Sequence, residues 1–452
     1  VDSERLAGLL EREGYRLVFQ PEGASLAVVN TCGFVAAARE EAHTTIAEML
    51  RLKAAGLVGR VVVVGCLVEW QREELLQQYP EVDGILGVFA RDEITAAVRA
   101  LEKEPDKQYA SLPPACNESM SELGRRRLTL PHVAYLKIAE GCNRACSFCT
   151  IPRIRGPYRS KPLRLVIEEA EQLAADGTRE LVLIAQDTTY YGIDTSGRPL
   201  LAELLRKLED VSGLRWIRLM YLYPMHITDE LLDVIAGSKK ILPYLDLPLQ
   251  HINDEVLRRM RRGIDRPETE RLLDRLRKRI SSPVLRTTLM TGFPGETEQQ
   301  FEELLAFVRQ QRFERLGVFA FSAEPHTPAA ELVGQVPEKI ARERRDRVMA
   351  AQQEISFAWS AAQVGRRMEV IVDQPFDARR HVYLGRSWAD APDIDGRVYI
   401  TGKKLSSGEI VCSEIVAAEG YDLIAFVCDD ADAIPVGPGK RFHRGSKKAK
   451  RR

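Results

Sequence analysis

The chain has 452 residues, 45% of them hydrophobic and 29% charged, with 65 basic and 65 acidic side chains. That length exceeds what one hydrophobic core organises, so several domains are expected. The balanced charge excludes attraction to nucleic acid by overall polarity alone, no apolar run of about 18 residues offers a membrane span, and the opening "VDSERLAGLL" lacks the basic and apolar regions of a secretory signal.

Residues 1–107 alternate helix and strand patterns. Helical periodicity marks 3–15, 36–56, 68–80 and 91–103. Between these lie short apolar runs, "SLAVVN" (25–30), "RVVVVG" (60–65) and "DGILGV" (83–88). Short continuous apolar runs between helices predict a buried parallel sheet in an open α/β domain. Such a domain normally opens on a strand, and this chain opens on a helix, so a first strand and its loop are expected to be absent. Residues 108–130 carry turn formers without periodicity and read as a linker, with Cys116 near Pro113 and Pro114.

From 131 to 364, six strand-plus-helix units follow, with strands predicted at 134–141, 180–187, 216–224, 244–250, 284–295 and 315–322. Six such units imply a curved parallel sheet, a partial (β/α)6 barrel whose chemistry belongs at the strands' C-terminal ends. Thr297 and Gln300 have the spacing of a capping box and predict a helix start. Residues 365–430 change to short β runs with turn signals, a small antiparallel β-barrel. Cys412 and Cys428 there are expected to be small buried hydrophobes. The end, 431–452, is a basic tail. The fold class is thus α/β multidomain with a C-terminal β-barrel, and a reducing compartment, the cytoplasm, is expected.

The sharpest motif is "EGCNRACSFCT", which spaces Cys142, Cys146 and Cys149 as C-x3-C-x2-C on the loop leaving the first barrel strand. A [4Fe–4S] cube normally takes four thiolates, so three leave one iron open. An open metal position can take up and activate a small molecule, as on catalytic zinc. A structural zinc would need a fourth ligand, and His132 lies at the far end of the strand. Inert core cysteines are the other reading.

With Phe148 before the last cysteine, the motif resembles the radical S-adenosylmethionine superfamily. The resemblance implies that the open iron chelates S-adenosylmethionine and that an electron donor triggers cleavage to a 5′-deoxyadenosyl radical. Cys32 in "VVNTCGF" and Cys66 in "VVVVGCLVEW" each follow a strand of the first domain, where strand ends share a crevice, and Gly33 and Gly65 permit close approach of a ligand. The pair resembles the N-terminal domain of the methylthiotransferase family, which implies a second [4Fe–4S] cluster on three cysteines. The family's first ligand lies upstream of a "VDSE"-like helix start, so this sequence is expected to lack one ligand of that cluster.

The same resemblance implies cofactor contacts from Phe148, from the strand-end residues Gln186, Asp187 and Gln250, and from Gly292 and Gly295 in "TGFPGETEQQF". His251 reads as a structural hydrogen-bonding residue. Arg153, Arg155, Arg159 and Lys161 either complement an anionic cluster or form a solvated face. The resemblance extends to the C-terminal barrel, of the TRAM type. "LIAQDTTYYGID" (183–194) and "GRSWADAPDIDG" (385–396) look like the family's ribosomal-protein branch. Ten acidic and eight basic side chains between 365 and 428 suit a basic protein better than RNA phosphates. The implied activity is addition of a methylthio group to the β-carbon of an aspartate in the twelfth protein of the small ribosomal subunit, with ribosomal RNA contacted by the basic tail. The alternatives are a tRNA adenosine methylthiotransferase and a non-enzymatic iron–sulfur RNA-binding protein.

Overall fold

Val61, Val62, Val63 and Val64 form an unbroken β-branched run, and in the computed structural model of the chain all four are buried at the centre of a parallel sheet. The structure describes residues 1–115 and 121–428; Cys116 and the basic tail lie outside the described residues. The first sheet joins β1 (Ala24–Thr31), β2 (Val58–Gly65), β3 (Gly84–Leu86) and β4 (Tyr109–Ser111) in that order, all parallel. Val61 and Val63 pack on one face with Ile46, and Val62 and Val64 on the other with Ile94 and Leu101. Both faces are covered, which is why the run shows no polar alternation. In the register Thr31 lies opposite Gly65, so the residues that follow, Cys32 and Cys66, leave the sheet side by side.

Two sequence expectations need correction here. Residues 109–111, expected in the linker, are strand β4; three residues are too few to show a period. The helix expected at 68–80 is two short helices, Cys66–Gln71 and Glu74–Gln78, broken at Arg72, whose φ is 54°.

The central sheet contains β5 (Val133–Lys137), β8 (Glu180–Ile184), β9 (Trp216–Leu219), β10 (Ile241–Asp246), β11 (Val284–Thr291) and β12 (Arg315–Ala320), with β6 (Ala139–Glu140) and β7 (Arg159–Ser160) pairing beside it as a two-stranded ribbon. The order is β12-β11-β10-β9-β8-β5, parallel throughout. Leu136, Leu181, Ile217, Leu245 and Leu285 face the outer helices, while the alternate residues Trp216, Tyr244 and Val284 face the concave side, as the two-residue strand period requires. The strands stop before their expected ends, so Gln186, Asp187 and Gln250 fall on the loops just past them. The capping box of Thr297 and Gln300 is present on the helix Glu298–Gln311.

The last domain is a closed five-stranded barrel of β13 (Arg367–Asp377), β14 (Val382–Ser387), β15 (Val398–Thr401), β16 (Ile410–Glu419) and β17 (Asp422–Val427). Cys412 and Cys428 were expected in its core, but both are half-buried. They are neighbours across the strands, with Cys428 N–H donating to the Cys412 carbonyl at 2.9 Å. Burial and a hydrogen bond with Cys428 push the Cys412 thiol up to about 12. The barrel docks on the central sheet through a buried ionic chain. Glu180, on β8, accepts from Arg218 at 2.7 Å and from Arg386 of β14 at 2.5 Å, and Arg386 in turn donates to Asp373.

Candidate functional site

The three-cysteine loop lies where the β5 strand gives way to the β6–β7 ribbon. The loop is tied down at both ends: Cys142 N–H donates to the Gly156 carbonyl at 3.2 Å, and Ser147 donates through N–H to Met260 and through Oγ to Arg259. Each thiol has an N–H donor. Arg144 N–H reaches Cys142 Sγ at 3.4 Å, Arg262 Nη1 reaches Cys146 Sγ at 3.3 Å, and the Ile151 backbone N–H reaches Cys149. Donors aimed at sulfur are what a thiolate ligand needs. Burial raises the Cys142 thiol and pushes that of Cys149 up to about 12, and such thiols give up their protons when a metal takes their place. Among the described residues no three His, Cys, Asp or Glu side chains converge on a point fit for a single metal ion. A cube binds each thiolate through a different iron and so does not require the three to converge on one point.

Arg144 and Arg262 also share a stacking partner. Their guanidinium carbons lie 4.1 and 4.2 Å from the Tyr223 ring centre. Arg144 Nε donates to Asp187 at 2.8 Å, and Asp187 also accepts from Thr189 Oγ1 and Tyr190 N–H. Asp187 thus clamps the cysteine loop to the end of β8.

Cys32 and Cys66 come together, as their register demands. The Cys32 charge bears on Cys66, whose thiol is raised chiefly by burial. A Cβ on Gly33 would lie 2.6 Å from the Cys66 carbonyl oxygen, so only glycine lets these two loops touch. This pair faces the three-cysteine loop. Thr150 Oγ1, next to Cys149, donates to the Phe34 carbonyl at 3.1 Å, and Arg155 Nη2 donates to Cys66 Sγ at 3.2 Å. Glu324 accepts from Ala36 N–H, at the start of the helix Ala36–Ala54, and from Arg39 at 2.7 Å. Trp70 has Arg39 and Arg153 within 5.0 and 4.9 Å of its ring centre. These contacts fix the two cysteine sites relative to each other.

The remaining candidates divide. Gln186 Nε2 donates to Glu140 at 3.3 Å, while its buried Oε1 has no hydrogen-bond partner among the described residues. Phe148 packs with Val256, Met260 and Phe293. Gln250 holds φ 73° and bridges to β11 through Thr288 and Met290. Gly292 and Gly295 have φ of 74° and 75°; a Cβ on the first would overlap Ala341, and on the second Arg259. His251 is structural, as expected: Nε2 meets Glu296 at 3.1 Å and Nδ1 accepts from Asn253 N–H. Arg153 is exposed but lies over Trp70, Arg155 joins the interface, Arg159 covers Phe89, and Lys161 pairs with Glu169 while buried, so the four do not form one solvated face. Sequence reasoning missed Arg262, Glu324 and Trp70. Arg262 belongs to the run "RRMRRG", which reads as an exposed basic helix end, and no local pattern marks the other two.

Known proteins match this arrangement in each part. Residues 1–87 match the family described as uncharacterized protein family UPF0004, 136–308 the radical SAM superfamily, and 364–428 the TRAM domain. The ribosomal protein uS12 methylthiotransferase RimO of Anaeromyxobacter sp. (strain K) is 48% identical over 433 residues, 94% of this chain and 90% of that protein. The protein of the same name from Myxococcus xanthus (strain DK1622) is 44% identical over 98% of this chain and 91% of its own. Among solved structures, the radical S-adenosylmethionine methyltransferase TsrM from Kitasatospora setae, with cobalamin and a [4Fe–4S] cluster bound, aligns at a TM-score of 0.52 and 18% identity over 73% of each chain, a likeness of fold.

Proposed function

The chain belongs to the RimO family of ribosomal protein uS12 methylthiotransferases, and we propose that it inserts a methylthio group at the β-carbon of an aspartate of uS12. It is a radical S-adenosylmethionine enzyme with a C-terminal TRAM barrel. The observation that carries the proposal is the contact between the two cysteine sites through Thr150–Phe34 and Arg155–Cys66. A radical centre and a sulfur-holding centre must share one substrate, and these two lie on adjoining loops.

In this reading Cys142, Cys146 and Cys149 hold one [4Fe–4S] cluster, and Cys32 and Cys66 are two of the ligands of a second. When bound, the first cluster with S-adenosylmethionine supplies the hydrogen-abstracting radical, and further S-adenosylmethionine supplies the methyl group. Arg144 and Arg262 support the cysteine loop and offset the charge of its thiolates. Gln186, with its unpartnered Oε1, offers an acceptor to the cofactor beside the loop. Phe148, Gln250 and the turn from Gly292 to Gly295 shape the far wall, and Asp187 positions Arg144. Among the described residues no helix is long and apolar enough to cross a membrane, which is compatible with work on ribosomal proteins in the cytoplasm. An electron donor completes the system, and the basic tail outside the described residues is assigned to ribosomal RNA.

The test is incubation of the reconstituted protein with S-adenosylmethionine, a reductant and either uS12 or tRNA, followed by mass spectrometry. The expected product is uS12 with one methylthio group on an aspartate and unmodified tRNA. Methylthioadenosine in the tRNA with unmodified uS12 would overturn the assignment in favour of the tRNA branch. Absence of 5′-deoxyadenosine in every arm would favour a non-enzymatic protein.

A further inference from the structure

Arg262 is held in place by the end of a helix. The helix Asp254–Arg259 is capped at Met260, and Arg261 turns the chain with a φ of 56°. Arg261 N–H donates to the Arg258 carbonyl at 3.1 Å and Arg262 N–H to the Leu257 carbonyl at 3.0 Å, the paired bonds of a Schellman motif. The Met260 carbonyl accepts from Ser147 N–H, so the cysteine loop and the backbone of Arg262 share one support. The Arg262 side chain is buried, with 5% exposure. Nη1 donates to Cys146 Sγ at 3.3 Å and Nη2 to the Pro248 carbonyl at 2.5 Å, and the Tyr223 ring covers the guanidinium at 4.2 Å.

Among the described residues no carboxylate pairs with this guanidinium. Arg218, Arg315, Arg344 and Arg386 are buried to a similar degree, and each has a carboxylate partner: Glu180, Asp390, Glu296 and Asp373. A buried charge without an opposite charge is costly. Arg262 Nε is also buried without a hydrogen-bond partner. The donors to the other two thiols, Arg144 N–H and Ile151 N–H, are neutral backbone groups, and the Arg144 side chain is matched by Asp187. Arg262 is therefore the charged donor to the three-cysteine loop, and its positive charge is the one that an anionic centre on that loop would offset.

We propose that Arg262 sets the reduction potential of the cluster on Cys142, Cys146 and Cys149, keeping it within reach of its electron donor. The inference rests on the cluster assignment proposed above. Reduction moves one electron from a low-potential one-electron donor onto the centre. Arg262 stays protonated, and no bond to it forms or breaks. The centre gains one negative charge, and a fixed positive charge with an N–H···S bond at its edge favours that more negative state. Removing the charge makes reduction harder. Lysine keeps the charge but not the planar fork that joins Cys146, Pro248 and Tyr223, so it returns part of the effect.

The experiment is an anaerobic redox titration of the full-length reconstituted chain, followed by electron paramagnetic resonance. Cys32→Ala and Cys66→Ala leave a single cluster in this parent, and S-adenosylmethionine is absent. Arg262→Gln and Arg262→Met are each expected to lower the equilibrium constant for reduction at least about tenfold, a fall of about 59 mV for one electron. Arg262→Lys is expected to fall between them and the parent. Iron content and urea midpoint on the same samples report loading and folding. Parental potentials in the loaded Gln and Met variants overturn the inference. So does an unchanged potential with weakened S-adenosylmethionine binding, which would assign Arg262 to the cofactor's carboxylate. Variants that fold like the parent but hold no iron overturn it as well, because the residue would then only shape the loop. Where the Gln and Met variants do not fold, Arg262→Lys decides: a lowered potential supports the inference and a parental one overturns it. A parent without a reducible cluster counts against the cluster assignment itself, and the inference falls with it.

Discussion

Arg155 Nη2 lies 3.2 Å from Cys66 Sγ, so a side chain of the central domain donates to a thiol of the N-terminal domain. Arg155 is itself held by Asp2 and Glu140, at 3.2 and 3.0 Å. Loss of a partner beside a metal ligand typically lowers metal affinity by 10- to 100-fold. In a background with Cys142, Cys146 and Cys149 replaced by alanine, Arg155→Met is expected to lower retention of the remaining iron about tenfold. Iron analysis after gel filtration over a chelator series checks this. Equal retention would show that the contact is only an interdomain tie.

On the proposed assignment of one cluster to each centre, replacing Cys142, Cys146 and Cys149 together is expected to remove roughly half of the bound iron. All 5′-deoxyadenosine formation should vanish with it. Continued formation in the triple variant would show that the radical arises elsewhere.

Gly292→Ala tests a packing constraint on the turn after β11. The residue sits at φ 74°, and the added methyl group would overlap Ala341 in the helix Glu338–Ala361. Left-handed strain and overpacking together should cost about 2–4 kcal/mol. Urea unfolding should show a midpoint lowered accordingly, and a wild-type midpoint would mean that the helix yields.

The two cysteine sites were legible because their signal is local: a spacing on one loop, or a cysteine directly after a β-branched run. Strand counts were legible for the same reason. Strand β4 was not, because three residues carry no period, and neither was the ribbon of β6 and β7. The interface was invisible because it joins Arg39 to Glu324 and Arg155 to Cys66, residues far apart in the chain whose local surroundings say nothing about each other. Gly292 and Gly295 were read as sites of close ligand approach; the atoms that a Cβ at either would meet belong to Ala341 and Arg259, which only the packed structure reveals.

The docking of the C-terminal barrel gives a pH prediction of definite sign. Glu180 is fully buried between Arg218 and Arg386, and Asp373 lies between His132 and Arg386. Burial alone would raise both carboxyl groups. In Glu180 it is outweighed by the charges of Arg386 and Arg218, and in Asp373 by the His132 hydrogen bond and Arg386, so both end below their ordinary values. A carboxylate depressed in the folded state contributes stability that is present above its unfolded value, roughly pH 4, and is lost as pH falls through the folded value. The other charged groups nearby, Asp390 and Arg315, are paired with each other. Stability should therefore drop on acidification below about pH 4. Trp388, buried on this interface, should move toward water as it drops, with a red-shifted emission. In the double variant Glu180→Gln, Asp373→Asn, the protein should be less stable near neutral pH, because two guanidinium groups lose their partners. Its stability should also change less steeply with acid, since two groups that take up protons on unfolding are gone. Urea midpoints measured from pH 5 to pH 3 for both proteins decide the matter, and parallel slopes would place the acid sensitivity of the fold outside this interface.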